Sequence, residues 1–132
     1  MIFAELKSLE CQNAPDLSPN FMPDDLEDFC LHYCMVVGGR GMEGEELFNV
    51  SVCSTKWVER ICKESGYLFG RHYLIVPYFD FTKIEWTLRK SVESVIGKDW
   101  HELSTKVGRI GKSEFEDYRP YDPAKSESAP TR

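Results

Sequence analysis

Residues 29–62 read FCLHYCMVVGGRGMEGEELFNVSVCSTKWVERIC, and the fold follows from how the spacing of apolar side chains changes along them. Phe29, Leu31, Tyr33, Met35 and Val37 alternate with Cys30, His32, Cys34 and Val36. A strand apolar on both faces belongs in the middle of its sheet. Beyond the connection Gly38 to Gly44, Phe48, Val50 and Val52 alternate with Leu47, Asn49, Ser51 and Cys53, so the two runs pair as an antiparallel hairpin. At Ser54-Thr55 the period lengthens to about 3.6 residues, with Trp57, Val58, Ile61 and Cys62 on one face and Lys56, Glu59, Arg60 and Lys63 on the other. This predicts an amphipathic helix over 55–65, stopped by Gly66.

Upstream, Ile2, Ala4 and Leu6 alternate in a strand that reaches Glu10, whereas Cys11 to Asp28 carries Pro15, Pro19 and Pro23 and breaks both periods, as an ordered connection or a mobile loop would. Downstream, Tyr73 to Phe79 reads as a buried strand. Thr82 with Glu85 forms a capping box for a helix over 83–96, whose stripe of Ile84, Leu88, Val92, Val95 and Ile96 ends at Gly97. Asp99 with Glu102 repeats the pattern for a helix over 100–107, closed by Gly108. The expected architecture is one α+β domain over 1–120, an antiparallel or mixed sheet of about four to five strands with helices packed on one face. Residues 121–132 lack a side chain to anchor them and are expected to form a disordered tail.

Composition narrows the function. A chain of 132 residues that is 42% hydrophobic supplies one core. Sixteen basic against twenty-two acidic side chains give −6, which disfavours direct contact with nucleic acid or an anionic membrane. No apolar run approaches the ~20 residues of a membrane helix. The start, Met1-Ile2-Phe3-Ala4-Glu5, does not have the form of a secretory signal, so a cytoplasmic setting is expected. The acidity is concentrated: ten carboxylates up to Glu46 face only Lys7 and Arg40, a balance of −8, and the remainder carries +2.

Several apparent motifs dissolve on inspection. Cys30, His32 and Cys34 share one strand face, but the two cysteines lie about 13 Å apart at ~3.3 Å per residue, too far to converge on one zinc ion. The five cysteines are odd in number and sit among apolar neighbours, which suits buried thiols rather than a disulfide framework. His72 and His101 form no relay. The glycine-rich connection ends in Gly44-Glu45-Glu46 and opens into a strand, where a phosphate-binding loop needs Gly-Lys-Ser/Thr and a helix. No catalytic, metal or cofactor-binding constellation emerges, and the chain reads as a non-enzyme.

What remains are three acidic clusters: Asp24, Asp25, Glu27 and Asp28 before the central strand; Glu43, Glu45 and Glu46 at the hairpin; and Glu114, Glu116 and Asp117 interleaved with Phe115 and Tyr118. The ordinary fate of a charge run is a solvated surface, but carboxylates beside aromatic side chains also suit the rim of a protein-binding surface. Simple hairpin pairing separates the first cluster from the second by the hairpin's length.

Several stretches in order resemble the bacterial immunity protein 8 family of polymorphic toxin systems. They are Ala4 to Ser8; Gly41 to Glu46 with Leu47-Phe48-Asn49-Val50; Val52 to Trp57; Phe69-Gly70-Arg71-His72 with Leu74-Ile75-Val76; and Arg109-Ile110-Gly111 with Glu114 to Pro120. The family's usual Thr-Pro-Lys-Trp stands here as Thr55-Lys56-Trp57, without the proline, and Cys11 to Asp28 matches least. The resemblance implies an α+β protein that neutralises a cognate toxin domain by binding it, with no cofactor and no turnover. A toxin acting on nucleic acid presents a basic surface that an acidic domain can occupy quickly. The ten carboxylates of the three clusters are the candidate contacts, with Glu43, Glu45 and Glu46 ranked first. The alternatives are a small cytoplasmic enzyme whose site assembles from distant Cys and His residues, and an interaction module with no toxin partner.

Overall fold

The computed structural model describes residues 1–115. Three long strands form its centre: β1 (Ile2–Cys11), β2 (Cys30–Gly39) and β3 (Glu46–Ser54), each antiparallel to the next. Ala4, Leu6, Leu9 and Cys11 of β1 are buried. Leu6 and Leu9 cannot share a face by simple alternation, and a register shift between Leu6 and Ser8 corrects the phase. On β2 and β3 the same face carries Leu31, Tyr33, Met35 and Val37 opposite Val52, Val50, Phe48 and Glu46.

Helix α1 (Thr55–Ser65) carries the chain over to β4 (Tyr73–Val76), which pairs parallel with the second half of β3. A parallel pair requires such a crossover. Helix α2 (Phe81–Glu93), the two-residue strand β5 (Ile96–Gly97), helix α3 (Trp100–Val107) and the two-residue strand β6 (Lys112–Ser113) complete the order. The result is a mixed sheet ordered β4-β3-β2-β1-β5, and β6 lies antiparallel against the first half of β3. One edge of β3 is therefore shared, half by β4 and half by β6.

Ile84, Leu88 and Val92 of α2, with Leu103 and Val107 of α3, close the core against one face of this sheet. Burial of such side chains stabilises by roughly 1.5–3 kcal/mol each. Helix α1 contributes nothing to that core. Its Trp57 stacks on Tyr73, with centroids 6.3 Å apart and planes 27° from parallel. Tyr73 alternates with Leu74 and Val76, which pack on the core, so α1 sits toward the opposite face.

Several local expectations are corrected. The strand beginning at Tyr73 stops at Val76, because Pro77 cannot continue a ladder, and it is an edge strand with Ile75 exposed rather than a buried one. Helix α2 is capped by Asp80, whose side chain accepts from the Lys83 N–H, not by Thr82. It ends at Glu93, and Gly97 belongs instead to β5, where a β-carbon would lie 2.7 Å from the Leu103 nitrogen. Asp99 caps α3 as its spacing predicts, accepting from the Glu102 N–H at 2.9 Å. The Pro-rich connection is well tied: Asn13 accepts from the His32 N–H at 2.8 Å and the Tyr33 hydroxyl donates to the Pro19 carbonyl at 3.2 Å. The expected tail, 121–132, lies outside the described residues.

Candidate partner-binding surface

The register of β2 against β3 decides where the acidic clusters stand. Cys30 faces Cys53 and Val37 faces Glu46, so the two ends of the ladder are seven residues, or about 24 Å, apart. Asp24, Asp25, Glu27 and Asp28 lie at the first end. Glu43 and Glu45 lie at the second, as simple pairing requires.

At the first end the chain uses some of its own charge. Arg60 of α1 grips Asp28 with two hydrogen bonds, of 3.1 and 3.0 Å, and this guanidinium holds the Asp28 carboxyl below its ordinary range. Asp25 accepts from the Glu27 N–H at 2.9 Å and shapes the turn. Asp24, Asp25 and Glu27 are exposed. The Leu26 carbonyl accepts from the Phe79 N–H, and Phe29 meets the Phe79 ring edge-on at 5.7 Å, which fixes this acidic segment to the body of the domain.

At the hairpin end, Glu43 and Glu45 are exposed and neither meets a cation among the described residues. Their loop is nevertheless held. Lys7, on β1, crosses Gly38 and its ammonium donates to the carbonyls of Met42 at 2.6 Å and Gly44 at 3.4 Å. A β-carbon at position 38 would lie 2.6 Å from both the Lys7 stem and the Gly44 oxygen, so only glycine leaves room for this crossing. Gly41 and Gly44 turn the loop at φ of 70° and 93°.

Glu46 is not part of that surface. It is only 4% exposed, and its carboxylate accepts from the hydroxyls of Ser104 on α3, at 2.8 Å, and Ser113 on β6. It forms the floor of a groove of about 780 Å³ whose walls include Arg71, Trp100, His101, Arg109 and Phe115. The alternation that buries Phe48, Val50 and Val52 places Glu46 on the same face, so this candidate contact is buried between β3, α3 and β6. Glu114 is also engaged: its N–H donates to the Leu47 carbonyl and its carboxylate accepts from the Leu47 N–H, both at 3.0 Å. It thereby extends the pairing of β6 with β3 by one residue. Glu116 and Asp117 lie outside the described residues.

Two carboxylates absent from the sequence-based candidates stand beside these. Glu5 pairs with Gly38 and Glu10 with Cys34, on the face of the sheet turned away from α2 and α3. Burial pushes the Cys34 thiol up, and the charges of Glu10 and Glu114 push it further. The period-two pattern of β1 carried the signal for Glu5, which lies between the buried Ala4 and Leu6, whereas Glu10 reaches that face only through the register shift between Leu6 and Ser8. The histidines are dispersed: His32 bonds the Ser51 hydroxyl at 2.9 Å, His72 donates from Nε2 to the Gly108 carbonyl at 2.8 Å, and His101 is exposed on α3.

The family model described as immunity protein 8 matches residues 4–118, spanning all three central strands, the three helices and the groove. No curated protein and no solved structure matches the chain.

Proposed function

Because the chain belongs to the immunity protein 8 family, we propose that it binds a cognate bacterial toxin domain one-to-one and neutralises it by covering the toxin's working surface, without turnover and without a cofactor. The mode of binding rests on one observation: Glu43 and Glu45 project from a loop that Lys7 holds through its backbone carbonyls, and neither carboxylate forms an ion pair among the described residues. Glu5 lies beside them across two strands and Glu10 further along the same face. Asp24, Asp25 and Glu27, at the far end, add to the field that draws a basic partner in rather than to the same contact. Glu116 and Asp117 remain in this proposal on sequence grounds. A nuclease is the toxin class whose basic surface suits such a face, and the cytoplasm is where a nuclease would be met. Among the described residues no helix is long and apolar enough to cross a membrane.

Co-expression with the product of the adjacent open reading frame, taken as the toxin, tests the reading. Growth should be restored and the two proteins should co-purify in equal amounts. Growth arrest in cells that contain the folded chain, or recovery of the toxin alone, would overturn it.

A further inference from the structure

Cys30 and Cys53 stand directly opposite one another on β2 and β3. The next pair outward, Phe29 and Ser54, is joined by the Ser54 N–H to the Phe29 carbonyl at 3.0 Å. Because bonded and non-bonded positions alternate along an antiparallel ladder, the cysteine pair falls at a non-hydrogen-bonded position, where α-carbons approach to about 4.5 Å and side chains are closest. That separation lies at the short end of the ~4.4–6.8 Å that a disulfide spans. Both thiols are on the face opposite the core, and they differ in access: Cys30 is half-buried and Cys53 is buried.

We propose that Cys30 and Cys53 form a reversible two-electron redox site whose oxidants are hydroperoxides or glutathione disulfide. The half-buried Cys30, the more accessible of the two, attacks as thiolate. With hydrogen peroxide its sulfur takes the distal oxygen, giving a sulfenic acid and, after protonation, one water. Cys53 then attacks the Cys30 sulfur, the S–S bond forms, and the hydroxyl leaves as a second water after taking up the Cys53 proton. With glutathione disulfide the same two steps release two molecules of glutathione. The environment assigns the roles in this order. The adjacent Cys53 thiol holds the Cys30 thiol below its ordinary range, and the adjacent Cys30 together with burial holds Cys53 above it. The remaining cysteines are placed otherwise: Cys34 faces Asn49, Cys11 faces Tyr33, and Cys62 lies on α1.

The test is a chemical map of the reduced full chain after treatment with hydrogen peroxide or glutathione disulfide. Two of the five thiols should be lost, a Cys30–Cys53 cross-linked peptide should appear, and dithiothreitol should restore both thiols. C53S should stop at an oxidised or glutathionylated Cys30 with no intramolecular link, and C62S should cross-link like the parent. A link through Cys62, oxidation confined to another cysteine, or five unreacted thiols would overturn the proposal. The map on the parent protein decides it even if C53S fails to fold, and it is independent of toxin binding.

Discussion

Ser54 offers a test of how one hydroxyl joins two elements. It is the N-cap of α1, accepting from the Trp57 N–H at 3.2 Å, and it also accepts from the Phe29 N–H at 3.1 Å. Both lone pairs of the oxygen are thus in use, in a side chain that is 0% exposed. Ser54→Ala removes a cap, worth about 1 kcal/mol, and leaves the Phe29 N–H buried without an acceptor, at a further ~1–3 kcal/mol. The expected loss is about 2–4 kcal/mol, which for an m-value of ~2 kcal/mol/M lowers the urea midpoint by ~1–2 M. Ser54→Gly separates the two contributions, since glycine caps nearly as well as serine and its cost of ~1–3 kcal/mol comes from Phe29 alone. Asp99, an exposed cap with one acceptor role at the α3 N-terminus, is the control, and Asp99→Ala should cost only about 1 kcal/mol. Equilibrium urea unfolding, followed by circular dichroism, measures all three. If Ser54→Ala costs no more than Asp99→Ala, the shared hydroxyl is not what ties β2 to α1.

Replacing Glu43 and Glu45 together by Gln should leave stability within ~0.5 kcal/mol per site but slow association with the toxin and flatten its salt dependence, as stopped-flow mixing across ionic strengths would show. Glu46→Ala should do the reverse: about 1–3 kcal/mol of stability lost in urea unfolding, because Ser104 and Ser113 lose their acceptor, with the association rate of the folded fraction unchanged. Acid should weaken the fold through Asp28, Glu59 and Glu102. Their carboxyls lie below the ordinary 3.8 and 4.5 in the folded protein, held there first by Arg60, by Lys63 and by the Lys98 backbone N–H respectively. The unfolded chain then binds more protons, so this stability is complete above about pH 5 and is lost as pH falls through 4.5 and 3.8 and below. Urea midpoints between pH 7 and pH 3 should show the loss, and Asp28→Asn should reduce its slope.

The three long strands and the three helices were legible because each is repeated several times over in the spacing of its apolar side chains. Asp99 as a cap was legible because it sits immediately before such a spacing. The short strands β5 and β6 were not, since two residues hold no period. The side of the sheet taken by α1 depends on β4 pairing parallel to β3, and that pairing is a contact between segments separated by a helix. Glu46 is the instructive case. Alternation with Phe48 assigns it to the core, yet the run Glu43-Gly44-Glu45-Glu46 reads as surface, and only the arrival of Ser104 and Ser113 from far along the chain shows which reading holds. Asp28 is similar, because its partner Arg60 lies 32 residues away on a helix whose exposed face carries several equivalent cations. In each instance the periodic part of the sequence was informative and the partner of a lone polar group was not.

The division of one edge of β3 between β4 and β6 has a consequence for the order in which a nascent chain can finish folding. The β2–β3 hairpin and the β3–α1–β4 unit are complete once residue 76 has left the ribosome, and they are built from neighbours in sequence. The first half of the β3 edge waits until residues 112–114 emerge, and with them comes Ser113, the second hydroxyl on Glu46. Until then Leu47 has neither the carbonyl nor the amide partner that Glu114 supplies, and a strand edge stays open to other chains. A chain arrested with residue 107 outside the ribosome and residue 112 still inside would therefore display a sheet whose core is covered but whose edge is unsealed, and chaperone capture or aggregation of such chains should fall once β6 is released.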